Sequence, residues 1–117
     1  MIYTTIVNAL KPIAEVYPLT APEGKPRPYI VYENPNTDEY KELSAWTGLY
    51  TDTFELYIVA DSYNEMRRLT DEVRDAIKVL EDTNQEVMLD SIGNEMYEKE
   101  IDAYQKNITI RISHKED

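Results

Sequence analysis

Apolar residues recur every third or fourth position at the start of the chain, at Ile2, Ile6, Ala9, Leu10 and Ile13. That spacing gathers them on one face of a short helix. Pro12 limits its length. The proline ring collides with the carbonyl four residues back and its nitrogen has no hydrogen to donate, so the helix is expected to stop near Leu10 or Lys11. Val16-Tyr17 reads as a brief extended piece. Residues 18–28, rich in proline, read as a connecting loop too short to link two domains. Pro28-Tyr29-Ile30-Val31-Tyr32-Glu33 is β-branched and aromatic, which predicts a strand, and Asn34-Pro35-Asn36 interrupts it with turn residues. Between positions 37 and 48 the pattern fades. Asp38, Glu39, Lys41 and Glu42 surround Tyr40, Leu43 and Trp46, the composition expected of a long protruding hairpin arm or loop.

The second half is more sharply patterned. Phe54, Leu56, Ile58 and Ala60 alternate with Thr53, Glu55, Tyr57 and Val59, which predicts a strand over residues 50–60, covered on one face and partly exposed on the other. Ser62 and Glu65 have the spacing of a capping box, in which each side chain serves the other residue's free amide. Met66, Leu69, Val73, Ala76, Ile77 and Leu80 then make one apolar stripe, predicting a helix to about Glu81 with Arg67/Asp71 and Arg68/Glu72 as pairs on its outer face. Residues 86–92 read as a strand, Gly93-Asn94 as a turn, and residues 104–113 as a last strand with Ile108, Ile110 and Ile112 inward. The order helix, strand, strand, helix, strand, strand predicts one α+β domain over residues 1–117. Its expected form is an antiparallel sheet of about four strands, two helices packed on one face, and a protruding hairpin arm.

Charge and chemistry narrow the function. The chain carries 23 acidic against 12 basic residues, a formal charge of −11. The surplus lies between residues 33 and 104. Clustered cations of the kind that hold phosphates are missing, so specific nucleic-acid binding is not expected. Cysteine is absent, and no run of apolar residues is long enough to cross a membrane. With no apolar leader either, the reading is a protein made and folded in a cytoplasm. His114 is the single histidine and stands beside the charged terminus; with three glycines there is no phosphate-cradling loop, and no serine sits in a nucleophile motif. The acidic stretch from Asp82 to Glu86 lacks the alternating ligands and central glycine of a calcium loop. Asn107-Ile108-Thr109 matches a glycosylation sequon by chance, inside a predicted strand. No catalytic residue, metal ligand or cofactor is expected, and the chain is read as no enzyme.

What remains is contact. Ten tyrosines and one tryptophan exceed what the core needs, because the helix stripe and strand faces already use aliphatic residues. Tyrosine joins apolar area to a polar tip and suits interfaces. Tyr40, Leu43, Trp46 and Tyr50 cluster around the arm. Two readings stand side by side: they fold back to cover the sheet, or the arm docks on a neighbouring subunit.

The stretch Val16-Tyr17-Pro18-Leu19-Thr20-Ala21-Pro22-Glu23-Gly24, followed by Pro28-Tyr29-Ile30-Val31-Tyr32, resembles the signature of bacteriophage tail-completion proteins. The strand that runs into a helix through Ala60-Asp61-Ser62 and the final strand are similar too, while the arm and the acidic segment 95–102 depart from the pattern. The resemblance implies a tail-terminator-like virion protein at the head-proximal end of a phage or prophage tail. Its implied partners are further copies of itself in a hexameric ring, the tail tube protein and the head completion or connector protein. DNA would pass nearby without specific binding, past like charge. The alternative from the residues alone is a small acidic inhibitory module acting on a host or nucleic-acid-binding protein.

Overall fold

The computed structural model describes residues 2–41, 46–83 and 87–115, and the side chains of residues 4–33, 51–83 and 87–113. Seven elements follow one another: α1 (Ile2–Leu10), β1 (Glu15–Pro18), β2 (Tyr29–Lys41), β3 (Trp46–Ala60), α2 (Tyr63–Thr83), β4 (Val87–Glu98) and β5 (Ala103–Lys115). The strands form one sheet in the order β1-β2-β3-β5-β4. β1 runs parallel to β2 and every other neighbouring pair is antiparallel. The expected α+β fold is present, with one correction. The sheet has five strands and is mixed, not four-stranded and wholly antiparallel. The brief piece at Val16-Tyr17 is a full edge strand, and the proline-rich loop carries the chain back along the pair so that β2 starts beside Glu15. Leu19, at a φ of 63°, turns the chain out of β1 while its amide still donates to the Tyr32 carbonyl at 2.8 Å.

Both helices lie on one face of the sheet. Ile30, Phe54, Leu56, Ile58, Ile108, Ile110 and Ile112 point to that face and meet Ile6 and Leu10 of α1 and Met66, Leu69, Val73, Ile77 and Leu80 of α2. Each fully buried side chain of this size contributes about 1.5–3 kcal/mol from removal of apolar surface from water. α1 stops at Leu10 as Pro12 requires. At the start of α2 the Glu65 amide donates to the Ser62 hydroxyl at 3.2 Å, the first half of the capping box. Of the two expected pairs on its outer face, Arg68–Glu72 forms at 3.1 Å. Arg67 turns instead onto the Tyr63 ring, 5.8 Å from its centroid, and Asp71 pairs with Arg74 at 3.4 Å.

Two expected turns are bulges. β2 continues through Asn34-Pro35 with a shift of register between Glu33 and Asn36, since an unpaired proline can be carried outside the ladder. β4 likewise continues through Gly93-Asn94, with one shift between Leu89 and Ser91 and another between Ile92 and Glu95. A Cβ at Gly93 would run into the Asn107 side-chain amide, which would have to move aside.

The molecule is long, 52 × 27 × 23 Å, with a radius of gyration of 15.5 Å against about 13 Å for a compact chain of this size. β3 runs the length of it. β4 begins opposite Ile112, which itself faces Asp52, so among the described residues β2, β3 and β5 alone continue beyond that level. Pairing proceeds outward through Asp38–Thr51 and Glu39–Tyr50 to Lys41–Trp46, where β2 and β3 are left alone. This is the protruding arm the sequence predicts.

Candidate assembly site

The arm carries the residues singled out by sequence. Backbone pairing brings Tyr40, Trp46 and Tyr50 to one end of the molecule: Tyr40 lies in a register shift next to Lys41, Trp46 pairs with Lys41, and Tyr50 pairs with both Glu39 and His114. Leu43 lies outside the described residues, as do the side chains of Tyr40, Trp46, Tyr50 and His114.

The opposite end is built from the N-terminus of α2 and the β4–β5 hairpin. Tyr104, paired with Ala60 at the end of β3, packs edge-on against Tyr63 with centroids 6.2 Å apart and tilts against Tyr97 at 4.8 Å. Two of the three hydroxyls are tied down. Tyr63 donates to Glu95 Oε1 at 2.9 Å and Tyr97 donates to Asp102 Oδ1 at 2.7 Å. The neighbouring Asp102 carboxylate holds the Tyr97 hydroxyl above its ordinary pKa. Tyr63, Met66, Met96, Tyr97 and Tyr104, with Glu95 at the border, enclose an apolar cleft of ≈ 180 Å³. Met96 and Tyr97 remain about half exposed at its mouth, at 50% and 48%. Arg27 fastens this end. Its Nε lies 2.6 Å from Asp61 Oδ1 and its Nη2 donates to the Ile101 carbonyl at 3.1 Å, joining the proline loop, the β3–α2 corner and the hairpin turn.

Alongside the cleft runs a second groove of ≈ 170 Å³ between α2 and β4, sharing Glu95. Arg67, Arg74 and Lys106 line it together with Asp71 and Glu95. Sequence reasoning passed over both recesses, although a signal was present. Lys106 and Tyr104 occupy inward-facing positions of β5, the same parity as Ile108 and Ile110. A lysine among inward isoleucines marks a place where the helix leaves the sheet uncovered.

The sheet face without helices presents a different arrangement. Glu33 and Glu55 stand directly across from each other on β2 and β3, and the Tyr57 hydroxyl lies 2.6 Å from Glu55 Oε2 and 2.9 Å from Glu33 Oε1. The hydrogen bond to Glu55, then burial, then the bond to Glu33 push the Tyr57 hydroxyl far above its ordinary value of 10.0. Because the folded value is raised, the stability this hydroxyl gives is complete below pH 10 and is lost as pH rises beyond it. Tyr57→Phe is expected to cost about 1–3 kcal/mol at pH 7, since two like charges lose their shared donor. The alkaline decline should flatten in the variant. Urea unfolding of both forms between pH 7 and pH 11 checks it; equal stability of the two forms at pH 7, or an unchanged alkaline decline, would show that the hydroxyl contributes nothing.

Among the described residues no group of three or more acidic or histidine side chains comes together in a way that could hold a metal ion, and no helix is long and apolar enough to cross a membrane. No family model matches the sequence, and no curated protein sequence matches it. Among solved structures, one chain of the virion of native gene transfer agent (GTA) particle is similar, with a TM-score of 0.61 and 12% identity over 94% of this chain and 84% of that one. At that identity the likeness is one of fold: this chain shares the α+β architecture of a virion component.

Proposed function

We propose that this chain is a structural subunit of a phage-like or gene-transfer-agent-like virion that works by contact and performs no chemistry. One observation carries the reading: its fold matches, over nearly its whole length, that of a chain found in a gene transfer agent virion. The finer placement follows the sequence resemblance. The chain closes the head-proximal end of the tail as a ring, with the arm residues Tyr40, Leu43, Trp46 and Tyr50 in the subunit contact, the tail tube on one side and the head connector on the other. A charge of −11 per copy supports passage of DNA without adhesion, because like charges repel within roughly 8 Å at physiological salt.

The test is made in cells that produce the particle. A tagged copy is expected to sediment with tails, and label in electron micrographs should mark the junction of head and tail. Removing the gene should leave heads and tails unjoined. Label at the distal tip would overturn the placement. Recovery only as a soluble complex with a host enzyme would favour the acidic inhibitor instead.

A further inference from the structure

We propose that the paired recesses beside α2, the cationic groove and the aromatic cleft, are the acceptor for the β2–β3 arm of a second copy of this chain. The inference rests on the ring reading above and adds the partner surface that the arm engages.

The first argument is charge. In a chain of net charge −11, the groove gathers Arg67, Arg74 and Lys106 against Asp71 and Glu95, a local surplus of cations. The arm sequence is the reverse, with Asp38, Glu39 and Glu42 against Lys41. Opposite charge at the rim steers encounter and fixes register. The second argument is composition. Next to the cations the cleft offers Tyr63, Met96, Tyr97 and Tyr104, an apolar, aromatic-walled recess, while the arm interleaves its acids with Tyr40, Leu43 and Trp46. Aromatic and methionine side chains in a recess with a polar border are the usual anchors of an interface. One segment therefore matches both recesses at once. A nucleic acid would match the cations alone and would meet Asp71, Glu95 and the overall negative charge.

The third argument is geometry. Trp46 opens β3 and Ala60 closes it, and the cleft lies at the Ala60 end through Tyr104. Fourteen steps of strand separate them, about 46 Å. A chain cannot place its own arm in its own cleft across that span. Donor and acceptor at opposite ends of one subunit give a head-to-tail contact, which closes into a ring when the rotation per copy allows.

The experiment exchanges the charges. One full-length variant carries Arg67→Glu and Arg74→Glu; the other carries Asp38→Lys and Glu39→Lys. Each alone should associate about 10–100-fold more weakly than the parent in sedimentation velocity, because attraction at the rim becomes repulsion. Mixed in equal amounts, or combined in one chain, they should recover the parent's association, and thermal unfolding identifies any variant that fails to fold. A second measurement does not need tight binding. The chain has no cysteine, so Asp38→Cys with Arg67→Cys and a short bismaleimide should give a ladder beyond the dimer, while either cysteine alone should stop at the dimer. If both charge variants associate like the parent and no ladder forms, the acceptor assignment is wrong although the ring reading stands. If the parent does not associate and the double-cysteine chain gives no ladder, the ring reading falls and this inference with it. Retention of duplex DNA by the parent, lost in the Arg67/Arg74 variant with association unchanged, would also overturn the proposal.

Discussion

Alanine at both Tyr40 and Trp46 is expected to abolish assembly while leaving the unfolding midpoint of the subunit nearly unchanged. Beyond the level of Asp52 the sheet narrows to β2, β3 and β5, and finally to a two-stranded tip. Among the described residues the core of the body is closed by Ile6, Leu10, Leu56, Met66, Ile77 and Ile110, which pack together at full burial. Large aromatic side chains at the centre of an interface commonly account for about 2 kcal/mol or more each, so losing two should weaken association at least several hundred-fold. Sedimentation velocity reports the association and thermal melting reports the fold. Comparable losses in both would mean that these rings cover the sheet rather than reach another copy.

Leu56→Ala should do the opposite. Leu56 is fully buried at the middle of β3, directly between Tyr32 and Ile108, under the helices. Shortening it removes apolar contact and leaves a void that the surrounding strands can only partly close, at a cost of about 2–5 kcal/mol. Against the roughly 5–15 kcal/mol that stabilises a domain of this size, that is a large share. The urea midpoint should fall steeply, and assembly should fail only where the subunit itself unfolds. Leu19→Ala is the matched control. Leu19 is 74% exposed, and its loss should stay within about 0.5 kcal/mol. If Leu56→Ala cost no more than Leu19→Ala, the placement of the core face would be wrong.

Sequence periodicity foretold the elements whose signal is local. The stripe from Met66 to Leu80 and the alternation from Phe54 to Ala60 determine their own burial, and both elements appear where expected, with α2 running two residues past Glu81. The departures share one cause. Asn34-Pro35 and Gly93-Asn94 are equally suited to a turn and to a bulge, and only the partner strand decides between them. The direction of β1 was hidden for the same reason: four residues state that they are extended, not which neighbour they will follow. The Arg67/Asp71 pair illustrates the limit of spacing arguments, because Tyr63 and Arg74 offered nearer partners. At the candidate site the arm was legible as a break in pattern rich in aromatic residues. The recesses were not, since Arg74 of α2, Glu95 of β4 and Lys106 of β5 come from three elements and converge only after packing.

The two bulges in β4 bear on how many copies can join, and in what direction. β4 is one flank of the sheet, and an open flank invites another strand to pair with it without limit. Two dislocations within its twelve residues put its free amides and carbonyls out of step with any straight visitor. The other flank, β1, offers only four residues and ends at Pro18, which has no amide hydrogen to give. Sideways stacking into fibres is thereby obstructed on both margins, which leaves the two tips as the surfaces through which the ring proposed above would have to close.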